Sequence, residues 1–200
     1  MMTGRLPQKF FAPPTLTVAK KLLGAKLFTC RNGRRTSGMI VEVEAYRADI
    51  DEACHGFRGR TTRNEVLFWD AGYCYVYFIY GMYHCVNVVT EKAGLGAAVL
   101  IRALEPLEGL STMQQRRATS NLYQLTSGPG KLCQALAIDS KMSGQHFLSS
   151  KLIGLEPCKI IPQSRIGIST RIGISKSQHL PWRFFIKDNP WVSRAPKNKS

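Results

Sequence analysis

Two runs of residues that alternate with a period of two constrain the fold of this chain more than any other feature. Residues 40–46 put Ile40, Glu42, Glu44 and Tyr46 on one side of a strand and Val41, Val43 and Ala45 on the other. Residues 73–80 repeat the pattern, with Tyr73, Tyr75 and Tyr77 facing one way and Cys74, Val76 and Phe78 the other. Tight turns join these runs to neighbours. Asn32-Gly33 reads as a hairpin turn between strands at 25–30 and 38–46, and Tyr80-Gly81-Met82 as a turn before a strand at 83–90. A further apolar strand covers 97–104, interrupted by Arg102, and a closing strand covers 180–186.

Helices fill the intervals. After an irregular leader containing Phe10 and Phe11, Thr15 caps a short amphipathic helix carrying Leu16, Ala19, Leu22 and Leu23, which Gly24 stops. Residues 108–117 predict a basic, exposed helix. Ser127-Gly128-Pro129-Gly130-Lys131 precedes a helix expected over 132–138, where backbone N–H groups and a lysine suit a phosphate, although the P-loop pattern is absent. The loop at 47–65 mixes acids with Arg58, Arg60 and Arg63 and is long enough to suggest a function. Residues 165–170 and 171–176 both open with Arg-Ile-Gly-Ile-Ser, a repeat too short for a solenoid. The 200 residues suit one domain, with mobile tails expected at 1–9 and 194–200.

Charge narrows the choice of partner. The chain has 28 lysines and arginines against 13 acids, a net charge of +15, which calls for a polyanion: nucleic acid first, an anionic membrane surface second. No apolar run reaches the ~18 residues of a spanning helix and no secretory signal opens the chain, so a soluble, cytoplasmic protein is expected. The six cysteines show no CxxC spacing and are expected to be reduced and buried. Cys54-His55 and His84-Cys85 are adjacent pairs without the usual short ligand spacings, so no metal is expected.

Two carboxylates and a ring therefore share a strand face in a basic protein. Glu42 and Glu44 stand ~6.6–7 Å apart along an ideal strand, and a strand with one solvated face explains them equally well. Arg102 must be paired if buried, and a nearby cation keeps a carboxylate charged. Tyr80, beside a glycine at a hairpin tip, projects outward either to an unseen core partner or as a wedge between base steps.

Several pieces, in order, carry a resemblance to a known family: Val41-Glu-Val-Glu-Ala-Tyr46, Asp51-Glu-Ala-Cys-His55, Thr62-Arg-Asn64, Tyr75-Val-Tyr-Phe-Ile-Tyr-Gly-Met-Tyr83, Leu100-Ile-Arg-Ala-Leu-Glu-Pro106, residues 127–136 and Leu180-Pro-Trp-Arg-Phe-Phe185. From about Leu6 to Val192 the chain resembles the alkyladenine (3-methyladenine) DNA glycosylases. The resemblance implies a single α+β domain built on a curved antiparallel sheet with surrounding helices. It implies no cofactor, and duplex DNA containing alkylated bases as partner; a monomer is expected, since an enzyme that scans DNA needs no second subunit. Glu44 matches the general base that activates water, with Glu42 as its competitor, and Arg102 the arginine that helps hold that water. Tyr46, His55 and Tyr77 match the groups enclosing a flipped base, and Asn87 a position that helps reject guanine. Tyr80 matches the residue that fills the vacated place in the duplex; Met82 and Lys131 are expected to contact DNA. In the family one Arg-Ile-Gly-Ile-like segment offers a carbonyl to the catalytic water, and here either Ile166 or Ile172 is its counterpart, with the second copy nearer the closing strand. The chain departs from the family at Thr62 and at Trp69-Asp-Ala-Gly-Tyr73, both outside the pocket residues. Hydrolysis of 3-methyladenine and 7-methylguanine nucleotides is the implied activity, with hypoxanthine and ethenoadenine as neutral candidates; a lesion-binding module without hydrolysis is the alternative.

Overall fold

A computed structural model describes residues 4–193. Its frame is an eight-stranded, antiparallel sheet in the order β3-β4-β5-β2-β1-β6, with β7 and β8 joined to it through β2. The strands are β1 (Lys26–Arg31), β2 (Arg34–Arg47), β3 (Cys74–Ile79), β4 (Tyr83–Val89), β5 (Ala97–Glu108), β6 (Ile153–Glu156), β7 (Ile166–Ser169) and β8 (Arg183–Ile186). Asn32 and Gly33 turn the first hairpin with φ of 50° and 71°, and Tyr80 and Gly81 turn the second with 54° and 67°. The first is a two-residue turn and the second a three-residue loop completed by Met82; each opens with two positive φ values, which match the strand twist.

β2 is the spine. Along one edge it pairs with β5; along the other it pairs with β1 as far as Met39, and β8 takes over from Glu42 to Glu44. All residues from Thr36 to Ala45 are buried, so the expected solvated face does not exist. The register against β5 shifts three times, passing over Leu107, then Val41 and then Arg102. These bulges break the simple alternation: Ile40 joins Val41, Val43 and Ala45 in the main core instead of sharing the face of Glu42 and Glu44.

Three α-helices cover the sheet: α1 (Thr15–Leu22), α2 (Leu110–Arg117) and α3 (Pro129–Ala135). α1 buries Val18, Ala19 and Leu22 against β2 and β5, while Leu16 is only partly buried. Thr15 is the first helical residue and not the cap; its hydroxyl bonds Glu91 and Thr90. α2 begins two residues later than its sequence suggests because β5 continues through Glu108, and Arg116 and Arg117 are half-buried against α3, not exposed. α3 begins earlier than expected, at Pro129, whose fixed φ suits the first helical turn.

The amino-terminal tail expected over 1–9 is shorter. Arg5 donates to the carbonyls of Phe147 and Ser150, Leu6 is buried and pairs with Leu155, and residues 8–10 form a 3-10 turn. The basic tail at 194–200 lies outside the described residues. All six cysteines are free; four are buried, Cys30 is partly exposed and Cys158 is exposed, so burial does not extend to all of them. Among the described residues no helix is long and apolar enough to cross a membrane.

Candidate active site

A cleft of about 350 Å³ opens among the β3–β4 hairpin, the 48–64 loop, the start of α3 and the 171–177 segment. Tyr46, His55, Tyr77, Tyr80, Asn87 and Arg102 all line it, and Ile172 joins them from the second copy of the repeat. Residues separated by more than a hundred positions thus converge on one cavity. The sheet supplies most of them: Tyr46 at the end of β2, Tyr77 on β3, Asn87 on β4 and Arg102 on β5.

Glu44 is fully buried beneath this lining and is bonded to three of its residues. Oε2 accepts from the Tyr46 hydroxyl at 2.8 Å and from Arg102 Nη1 at 3.1 Å, while Oε1 accepts from the Ile172 amide at 2.7 Å. Ile166 instead pairs with Ile186 in the core, so the second Arg-Ile-Gly-Ile is the copy that meets Glu44. Glu42 is equally buried but differently held. Arg102 Nε (3.1 Å), Arg183 Nε (2.7 Å), the Ser193 amide (2.7 Å) and the Ser193 hydroxyl (2.8 Å) all donate to it, and of these donors only Arg102 lines the cleft.

Arg102 bridges the two carboxylates because the register shift leaves it out of the β2–β5 ladder and aimed at them. Burial alone would weaken its hold on its proton, but Glu44 and Glu42 outweigh that and push its pKa up. An unpaired charge in such a place would cost several kcal/mol.

Behind the cleft lies a second buried ion pair. Arg171 grips Asp51 through Nη1 to Oδ2 at 2.5 Å and Nη2 to Oδ1 at 2.7 Å, and Nη1 also donates to the Ala45 carbonyl at 3.0 Å. Its guanidinium lies 4.5 Å over the Tyr46 ring. Asp51 in turn accepts from the Ala53 amide, which shapes the loop that delivers His55. One pair therefore fixes the partner of Glu44 on one side and the His55 loop on the other. Asn64 holds the same loop through the carbonyls of His55 (2.8 Å) and Gly59 (3.0 Å).

The aromatic wall is built on β3. His55 packs edge-on against Tyr77 with ring centroids 4.3 Å apart, and its Nδ1 is 3.0 Å from the Tyr75 hydroxyl. Burial, and then the nearby Arg63, lower the His55 pKa and so favour the neutral imidazole. Burial raises the Tyr75 hydroxyl to about 12 and the Tyr77 hydroxyl higher still. Asn87 is pinned by its Nδ2 to the Tyr75 carbonyl at 3.1 Å.

At the rim the hairpin tip exposes Tyr80 (78 %) and Met82 (64 %), flanked by Phe78 and Tyr83. The tip is tied to the long loop by Arg63 Nη2, which donates to the Phe78 carbonyl at 2.9 Å. Lys131 lies outside the cleft, half-buried, with its ammonium on Gln124. The departures at Thr62 and Trp69 also lie outside; Trp69 packs against Tyr73 at 5.1 Å. Sequence reasoning does not reach Asp51, Asn64, Tyr75, Arg171 or Arg183 as site residues. The only local signal is that Asp51 and Arg171 each begin a distinctive segment.

The family model for methylpurine-DNA glycosylase matches residues 9–190 of the chain. A protein of Chlorobaculum parvum is 46% identical over 200 residues, covering 98% of this chain and 95% of its own length. One of Chlorobaculum tepidum is 47% identical over 193 residues, with 96% and 91% covered, and one of Carboxydothermus hydrogenoformans 45% over 189, with 94% and 98%. All three are described as candidate 3-methyladenine DNA glycosylases. With nearly the whole chain matched to that family and to relatives this similar, the protein belongs to the methylpurine-DNA glycosylases.

Proposed function

We propose that the protein hydrolyses the N-glycosidic bond of alkylated purines in duplex DNA, 3-methyladenine foremost, and leaves an abasic site without cutting the strand. The observation that carries this reading is the contrast between the two buried carboxylates. All three donors to Glu44 line the cleft, whereas of the donors to Glu42 only Arg102 does.

A base stacked in a duplex hides its glycosidic bond, so the nucleotide must be extruded at a cost of a few kcal/mol. The Tyr46, His55 and Tyr77 rings offer stacking worth about 1–3 kcal/mol per base. A cationic alkylpurine is further attracted by electron-rich ring faces, and Tyr80 and Met82 are placed to occupy the gap in the duplex. In the reaction the bond from C1′ to the base nitrogen breaks and its electron pair leaves with the base. Water adds to C1′ and gives a proton to Glu44, as glycosidases do with a carboxylate base. Arg102 compensates the Glu44 charge, and the Tyr46 hydroxyl and Ile172 amide fix its orientation. For a neutral base such as hypoxanthine the pocket must supply a donor: with the Tyr75 hydroxyl donating to Nδ1, His55 offers Nε2–H.

The test is chromatography of bases released from methylated duplex DNA, with Glu44→Gln alongside. Free 3-methyladenine from the wild type alone is expected. Release by Glu44→Gln at the wild-type rate would remove Glu44 from the mechanism, and binding without release from either protein would favour a lesion-binding module.

A further inference from the structure

Away from the Glu44 cleft, the turn of the β1–β2 hairpin and α2 enclose a second cleft of about 410 Å³. Arg31, Arg34 and Arg116 line it with Asn32, Thr112 and Gln115, and no carboxylate does. Arg31 is paired with Asp139. Arg116 meets no acid among the described residues; its Nη1 donates to the Ala135 carbonyl at 2.9 Å and to Thr36 Oγ1 at 3.4 Å. Arg34 is exposed and makes no side-chain hydrogen bond or ion pair among the described residues. Burial, and then Arg34 and Arg31, weaken the hold of Arg116 on its proton. Guanidiniums gathered with one acid among three repel one another, and an anion relieves that repulsion.

This cleft is linked to the first by α3. Ala135, which Arg116 grips, ends the helix, and Pro129 and Gly130 at its start line the Glu44 cleft. Between the two ends, Arg117 bonds Gln134 and the Gln124 carbonyl, and Lys131 bonds the Gln124 side chain. Along α3, Lys131 thus lies near the end that lines the first cleft, and Arg117 and Arg116 are held at the end that adjoins the second, where Arg34 also stands. The seven residues of α3 span about 10 Å. Phosphates of one strand advance about 3.4 Å each along the duplex axis, so the helix length corresponds to about three of them.

We infer that the three-arginine cleft binds backbone phosphate of duplex DNA several nucleotides away from the extruded base, with α3 as the path between the sites. The inference rests on the reading that duplex DNA is the partner. Its contribution is charge neutralisation and carries no sequence information.

The test compares the full-length wild type with Arg34→Glu, chosen because Arg34 supports no contact of the fold. Binding to an undamaged duplex of about two helical turns is measured over a range of salt concentrations. The slope of log affinity against log salt should fall by about 0.9 for each phosphate that the variant leaves unneutralised, and Arg34→Lys should restore it. Equal slopes for the wild type and Arg34→Glu would overturn the inference. Arg34-dependent binding of inorganic phosphate with no effect on duplex binding would also overturn it, leaving a small-anion site. Single-turnover release of 3-methyladenine from a saturated short duplex should be unchanged in Arg34→Glu. Failure of the wild type in that assay would count against the glycosylase reading, while the slopes would still decide the phosphate site.

Discussion

Glu42 and Glu44 stand two residues apart on one strand, are equally buried and share Arg102, yet their surroundings suit opposite purposes. Glu42 takes donors from β5, β8 and Ser193, of which only Arg102 on β5 lines the cleft. Glu44 takes its donors from groups that themselves face the cleft. A buried carboxylate is thus marked as structural or reactive by what its partners touch, since burial and charge pairing are the same for both. The first kind ties strands together; the second is held in place for something that enters.

Substitution of each acid in turn is the sharpest way to break this comparison. Glu44→Gln should lower single-turnover base release by about 10²–10⁴, the usual worth of a general base, and shift the denaturation midpoint far less than its partner does. Glu42→Gln should do the reverse, costing about 3–5 kcal/mol of folding stability because it leaves Arg183 buried without a counter-charge. Urea unfolding and single-turnover kinetics on both variants decide it, and matching profiles would erase the distinction.

Asp51→Asn comes next. Leaving Arg171 buried against a neutral amide should cost about 3 kcal/mol and should also slow base release, because the Ile172 amide loses its anchor. A loss of stability with kinetics untouched would show that the pair serves the fold alone. Ser193→Ala, which removes one donor from Glu42 and leaves the backbone amide in place, should cost about 1.5–3 kcal/mol without altering kinetics.

The smallest effect concerns pH. Because the His55 pKa is lowered in the folded protein, the unfolded chain takes up this proton first as pH falls below the ordinary 6.5. Stability contributed by the neutral ring is therefore present above 6.5, declines below it, and levels off once the folded ring is also protonated. The slope is at most about 1.4 kcal/mol per pH unit. This part of the slope should disappear in His55→Gln when unfolding is followed from pH 7.5 down to 5, leaving the contribution of His146, whose pKa burial also lowers.

Much of this is legible in the order of residues. Period-two alternation identifies β2 and β3, and Asn-Gly and Tyr-Gly identify their turns, because strand geometry and positive φ are local properties. The need to pair Arg102 is also legible, since a charge in an apolar strand has few alternatives. The bulges that move Ile40 into the core are hidden, because register depends on β5 as much as on β2. The Asp51–Arg171 pair is hidden for a related reason: its partners are 120 positions apart and nothing near either one names the other. The start of α3 differs from the expectation although Pro129 is a local signal for a first helical turn.

The hold of Ser193 on Glu42 has a consequence for synthesis. A chain made from its amino terminus has β2 in hand early, but two of the four donors on Glu42 come from a residue 151 positions later. At about 5–20 residues per second, the carboxylate waits roughly 8–30 s for them. During that interval Glu42, fully buried in the folded protein, lacks these two donors, so closing the chain around β2 early would bury an under-compensated charge at a cost of several kcal/mol. Completion of the sheet is thereby deferred until the strand bearing Arg183 and the turn bearing Ser193 have both emerged.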